Sequence, residues 1–169
     1  MKTIRLREGR ERSLLRRHPW VFAGSIAGGG ADAGETVRVV GADGRFLAWA
    51  AYSPASSIRL RAWSFDEAQR IDRAFFAHRI GAALALRQQL PIDSNARRLV
   101  HGEADGLPGL VVDQYGDTLV AQFGAAGVER WKPLLTALLA EASGCARVYE
   151  RSDAGVRQHL LPINTFSAL

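Results

Sequence analysis

Between residues 34 and 65 short apolar runs alternate with turn residues, a rhythm that predicts strands. "ETVRVV" and "FLAWAAYS" are separated by "GADGR", where Asp43-Gly44 is a hairpin signal, and Pro54 precedes a third alternating run, "SIRLRAWSF". Side chains of a strand alternate between faces, so Ile58, Leu60 and Ala62 are expected on one side and Arg59, Arg61 and Trp63 on the other. Upstream, Leu14 and Leu15 sit among charges over residues 10–17, with Arg12 and Arg16 four apart, which predicts one short amphipathic helix. His18-Pro19 should end it, because a proline drives its predecessor out of helical conformation, and "WVFAGSI" then starts a strand. Short strands and one helix over residues 1–69 predict a small closed or partly closed β-barrel.

The period changes at residue 70. In "RIDRAFFAHRIGAALALRQQL", residues 70–90, Phe76, Ile80, Ala83 or Leu84, and Arg87 or Leu90 form a helical stripe, with Asp72 as N-cap and Pro91 as stop. A domain boundary is expected just before this helix. Strands follow at residues 97–101, at "LVVD" and at "TLVAQF", separated by a double turn at "GEADGLPG" and a turn at "QYGD". A helix over residues 131–142 should bury Leu134, Leu135, Leu138 and Leu139 and tolerate Pro133 in its first turn; "ARVYERSD" is the last strand. The fold class is therefore α+β, a small pseudo-β-barrel over residues 1–69 followed by a small α/β domain over residues 70–157, with a tail at 158–169.

Composition changes this picture little. With 47% hydrophobic and 23% charged residues the chain is that of an ordered globular protein, not of a disordered one. No apolar run approaches the ~18 residues of a membrane span, the N-terminus has no signal-peptide pattern, and the single Cys145 suits a reducing compartment. A cytoplasmic protein without membrane contact is expected.

Charge changes it more. Residues 1–17 hold Lys2, Arg5, Arg7, Arg10, Arg12, Arg16 and Arg17 against Glu8 and Glu11, while residues 18–169 hold 15 basic and 15 acidic side chains, so the whole net charge of +5 lies in this one stretch. A charge run is commonly a solvated helix face. Here His18, Trp20 and Phe22 follow directly, and arginines hold phosphates while flat rings stack unpaired bases. RNA is thus the favoured partner, with Arg10, Arg12, Arg16 and Arg17 on phosphates and His18 and Trp20 as stacking or supporting groups, Trp20 being equally a candidate core residue. Arg59 and Arg61 would extend the basic surface.

Other motifs point to no chemistry. "GGGADA", residues 28–33, fits a dinucleotide-binding spacing, but that fingerprint must open a helix and here a strand follows. His18, His78, His101 and His159 have no second ligand at helical spacing, so no metal is expected. Cys145 lies at a helix-to-strand junction and reads as a small buried hydrophobe. Of the carboxylates Glu103, Asp105, Asp113 and Asp117, three flank turns, at Asp105-Gly106 and across "DQYGD", and turn chemistry is the expected reading of the group. No catalytic and no cofactor-binding residue is assigned.

The segments "LLRRHPWVF", "YSPASSIR", "DGLPGLVVDQYGD" and "VYERSDAGVR" resemble, in order and spacing over about residues 4–157, the N-terminal half of the bacterial 23S rRNA cytosine-C5 methyltransferases. The resemblance implies a PUA domain, an RNA-binding pseudo-barrel, followed by an α/β linker domain of the EEHEE type. In that family a third, Rossmann-like domain binds S-adenosylmethionine and carries the catalytic cysteine. After Arg157 the pattern is no longer followed, so this chain is expected to hold the rRNA-recognition part without the methyl-transfer machinery, Cys145 not inheriting the catalytic role. The alternatives are a subunit or fragment of an active S-adenosylmethionine-dependent methyltransferase, its missing domain on a partner chain or in a longer protein, and a homodimer that covers the surface left bare.

Overall fold

The computed structural model describes residues 1–91 and 93–151 and the backbone of 161–163. His159 and the rest of the 158–169 tail apart from the backbone of 161–163 lie outside the described residues, as do residues 152 and 153 of the expected last strand. Two units are defined by their own internal contacts: Met1–Ile71 with Ala125–Arg130, and Asp72–Gly124 with the chain from Trp131 onward.

The first unit contains β1 (Thr3–Leu6), α1 (Arg12–Leu15), β2 (Trp20–Phe22), β3 (Ile26–Gly28), β4 (Thr36–Val40), β5 (Phe46–Tyr52) and β6 (Ile58–Ser64). Its strands form one sheet in the order β2-β6-β5-β4-β1-β3, antiparallel except for β1 against β4. β2 and β3 are the two ends of that order, yet only a 3-10 turn, Ala23–Ser25, joins them. The sheet therefore has to curl until its ends approach, which makes the half-barrel. "WVFAGSI" is accordingly two strands around a turn rather than one.

Alternation supplies the inner wall. Ile4 and Leu6 from β1, Val37 and Val39 from β4, Leu60 and Ala62 from β6, and Leu14 from α1 meet in one buried cluster. Each fully buried Val, Leu or Ile contributes about 1.5–3 kcal/mol, enough to fix the register of strands this short. β1 had no sequence signal because "TIRL" is brief and its pairing is remote, Thr3 opposite Arg38 and Arg5 opposite Val40. α1 is a single turn, shorter than the expected 10–17 span.

The face opposite the barrel interior is not uniformly exposed. Arg59 and Arg61 are half-buried as the alternation suggests, but Trp63 is 2% exposed. An unexpected helix, α3 (Ala126–Arg130), covers it. A Cβ on Gly127 would lie 2.5 Å from the Ala51 Cβ and 2.6 Å from Trp63 Cζ2, so only glycine lets the helix approach. Gly34, at φ +76°, meets the same helix, where a Cβ would strike the Ala126 carbonyl.

The second unit pairs two helices with a five-stranded sheet. α2 (Arg73–Gln88) starts where Asp72 accepts the Phe75 N–H at 3.1 Å, as the N-cap reading requires, and buries Phe75, Phe76, Ile80, Ala83 and Leu84. β7 (Ala96–His101), β8 (Leu110–Tyr115) and β9 (Thr118–Phe123) form an antiparallel meander. α4 (Lys132–Ser143) then carries the chain to β10 (Arg147–Glu150), which lies parallel to β9, and β11 (Leu161–Ile163) pairs antiparallel to β10. α4 buries Leu135, Leu138 and Leu139 as expected, with Thr136 beside them, while Leu134 is only half-buried; Leu90 of the α2 stripe is 47% exposed, because α2 ends at Gln88.

Candidate nucleic-acid interface

All eight residues expected to meet RNA fall in the first unit. Their placement begins with the end of α1. The Arg17 N–H donates to the Leu14 carbonyl at 2.8 Å and the His18 N–H to the Ser13 carbonyl at 2.9 Å, the bond pair that closes a helix through a left-handed residue. That residue is Arg17, at φ +59°, the one non-glycine residue with positive φ among the described residues. A glycine would be the unstrained choice there, so an arginine side chain is held at a cost in backbone energy.

Beyond this turn the chain feeds into β2, held by the Ala62 N–H donating to the Pro19 carbonyl at 2.8 Å. His18 is exposed and its ring stands edge-on to Trp20, centroids 5.6 Å apart. The Trp20 N–H donates to His18 Nδ1 at 3.2 Å. Trp20 is half-buried and lies across the strand pair from Arg61.

The eight residues divide by how their polar groups are used. Arg10, Arg12 and Arg16 are exposed, and among the described residues none of their guanidinium groups has an acceptor. Arg17 is exposed with its guanidinium 5.7 Å from the Phe65 ring centroid. Arg59 donates to the Pro54 carbonyl and Arg61 to the Ile58 carbonyl at 3.4 Å, so these two brace the β-barrel wall with part of their donor capacity. Three open guanidiniums in and around α1 suit a phosphodiester strand, each contact adding about 0.7 to the salt slope of single-strand binding.

Phe22, counted in the sequence among the flat rings that follow the arginines, was given no site role there. It is 53% exposed at the end of β2, and the signal was present: in "WVF" a buried middle residue turns its neighbours outward.

Three of the carboxylates expected to cap turns also pair with arginines, and Asp105 does both. Asp105, with its side chain 6% exposed, accepts two bonds from Arg87, at 2.5 and 2.8 Å, and the His101 N–H at 2.6 Å. Asp113 takes Arg98 at 2.9 and 3.1 Å, and Asp117 takes Arg147 at 2.5 Å. The Arg147 hydrogen bond holds the Asp117 carboxyl below its usual range, and Asp113 raises Arg98. The reason is the meander: it brings arginines of other strands and of α2 to loops that looked purely local. Cys145 is buried, 3.4 Å from Gln114 Nε2, and no cluster of three or more His, Cys, Asp or Glu forms among the described residues.

Residues 4–65 match the family described as PUA-like domain. The chain is 48% identical over 161 residues to the ribosomal RNA large subunit methyltransferase I of Shewanella denitrificans, covering 92% of this chain and 40% of that protein. It is also 48% identical over 158 residues to the protein of the same name in Citrobacter koseri, covering 90% and 40%. The chain thus spans about 40% of the length of these curated relatives. A proposed SAM-dependent methyltransferase from Streptococcus mutans shares the fold, with a TM-score of 0.83 at 16% identity over all of this chain and 44% of that one.

Proposed function

Since the chain is a homologue of the N-terminal portion of the ribosomal RNA large subunit methyltransferase I proteins and carries their PUA-like domain, we propose that it is an RNA-binding unit which recognises 23S rRNA for methyl transfer. Residues 1–69 act as the RNA-binding domain, and residues 70–157 as the α/β linker toward the methyl-transfer machinery. In whole proteins of this kind that machinery uses S-adenosylmethionine at cytosine C5; the residues described here recognise and position, and do not transfer the methyl group. The work is cytoplasmic.

The observation that carries this reading is the open arginine turn. The net charge of the chain is gathered in residues 1–17, and among the described residues Arg10, Arg12 and Arg16 are left without acceptors where Arg87, Arg98 and Arg147 have them. Uncompensated guanidiniums at an ordered helix end repel one another unless an anion shares them.

A salt titration of binding to a large-subunit rRNA fragment, beside duplex DNA of equal length, tests it. Binding should weaken steeply with salt, and Arg12→Glu with Arg16→Glu should lower affinity tenfold or more and flatten the salt slope by about 1.4 for the two phosphates lost. Unchanged affinity in the double variant would reduce the arginine turn to a solvated surface.

A further inference from the structure

We propose that the outer face of β2 and β6 seats an unpaired RNA nucleotide, with the Phe22 ring as the surface on which its base stacks. The inference rests on the RNA-binding reading and narrows it to single-stranded or splayed RNA at this face.

Phe22 is the one Phe, Trp or Tyr of the first unit that is more than half exposed. Other rings there have partners: Phe46 and Trp49 lie 5.3 Å apart, Trp20 is held edge-on by His18, and Phe65 lies under Arg17. Among the described residues Phe22 has neither a ring nor a cation against it, so its π-face is open.

The backbone aims it. β2 and β6 pair Trp20 with Arg61 and Val21 with Leu60, but Phe22 with Ile58, so a bulge leaves Arg59 as the extra residue on β6, without a register partner on β2. Bulges re-aim a side chain and concentrate at binding surfaces. β2 is also an end strand of the sheet, so one flank of Phe22 has no neighbouring strand.

Charge selects the occupant. The ring lies on a strand whose partner β6 carries Arg59 and Arg61 and whose upstream turn carries Arg17 and Arg16. An apolar protein partner would have to bury these guanidiniums, whereas a nucleotide offers a phosphate to them and a flat face to Phe22. A paired base offers no open face, because its neighbours in the duplex already cover both sides.

Two labelled RNAs of the same composition test this, one unpaired and about ten nucleotides long, a length within the usual site size of single-strand binders, the other folded as a hairpin. Wild-type protein should prefer the unpaired strand. Phe22→Ala should lower affinity for it about tenfold, leave hairpin affinity unchanged and leave the melting temperature unchanged, and Phe22→Trp should retain binding. If Phe22→Ala binds the unpaired strand as wild type does, or loses both RNAs equally, the seat is overturned; in the first case Phe22 is left as a protein contact. Arg12→Glu with Arg16→Glu, measured alongside, separates the two failures: loss of binding there with no effect at Phe22 keeps the RNA-binding reading without the seat, and no effect at either site overturns both.

Discussion

Arginine is used in two ways in this molecule: paired with carboxylates, as in the second unit and at Arg38–Glu67 and Arg45–Asp43 in the first, or left open around α1. In the second unit Arg73 reaches Glu141 at 2.8 Å, Arg87 reaches Asp105, Arg98 reaches Asp113 and Arg147 reaches Asp117, while Lys132 reaches Glu150 at 2.8 Å. Around α1 in the first unit, Arg10, Arg12 and Arg16 reach no acceptor among the described residues. The first unit holds 13 basic and 8 acidic side chains and the second 9 of each. Arginine content alone would not separate structural from ligand-binding use. What separates them is whether the fold brings a carboxylate to meet the guanidinium.

The sharpest way to break the comparison is to open a pair in the second unit. Asp105→Ala leaves Arg87, whose side chain is 14% exposed, without its bidentate partner and the His101 N–H without its acceptor. Removing one member of a buried pair costs about 3–5 kcal/mol, because the remaining charge stays desolvated. Urea unfolding should show a loss of that size. A loss under about 1 kcal/mol would show that this arginine is as independent of its partner as an exposed surface pair, in the usual 0–1 kcal/mol range.

How far this division was legible in the sequence differs between its halves. The open arginines were visible because their signal is local: seven basic residues among the first seventeen, then a proline and rings. The paired ones were not. Asp105 beside Gly106 reads as a turn residue, and nothing near it in sequence announces Arg87, eighteen positions away on another element. The same limit hid β1, whose partner β4 begins thirty residues later, and α3, whose five residues earn their place only by covering Trp63. Strands β4 to β6 and helices α2 and α4 were readable, because their own periodicity decides which face is buried. Phe22 was readable too, but its significance depends on the bulge that turns it.

A smaller effect sharpens the comparison from the other side. Arg17 occupies a left-handed position at φ +59°, which costs a non-glycine residue about 1–2 kcal/mol, offset by about 0.5–1 kcal/mol from its approach to Phe65. Arg17→Gly should therefore stabilise the unit by roughly 0.5–1 kcal/mol in thermal unfolding while RNA affinity falls and the salt slope shrinks by about 0.7, one phosphate's share. A structural arginine, like those of the second unit, would lose stability on replacement. The opposite signs of the two readouts identify a residue kept for its ligand; a loss in stability with unchanged affinity would move Arg17 into the structural class.

The smallest effect lies at the one place where the basic N-terminal stretch does form a pair. Lys2 donates to Glu35 at 2.8 Å and to Asp32 at 3.3 Å, and Glu35 also accepts the Asp32 N–H at 3.0 Å. The Lys2 hydrogen bond first, and the Asp32 backbone second, hold the Glu35 carboxyl below its ordinary value of 4.5. In the unfolded chain Glu35 binds its proton more readily, so below about 4.5 the unfolded state takes up protons that the folded state refuses. Stability from this group is present above that pH and is lost as pH falls through the lower, folded value. Glu35→Gln should flatten the acid limb of an unfolding curve, with salt removing part of the difference because the pair is solvent-facing. Asp117→Asn, which removes the Arg147 partner in the second unit, should flatten it in the same direction, since that carboxyl is also held low. An acid limb unchanged in Glu35→Gln but flattened in Asp117→Asn would place acid-sensitive pairing in the second unit alone, and the division between open and paired cations would then extend to Lys2.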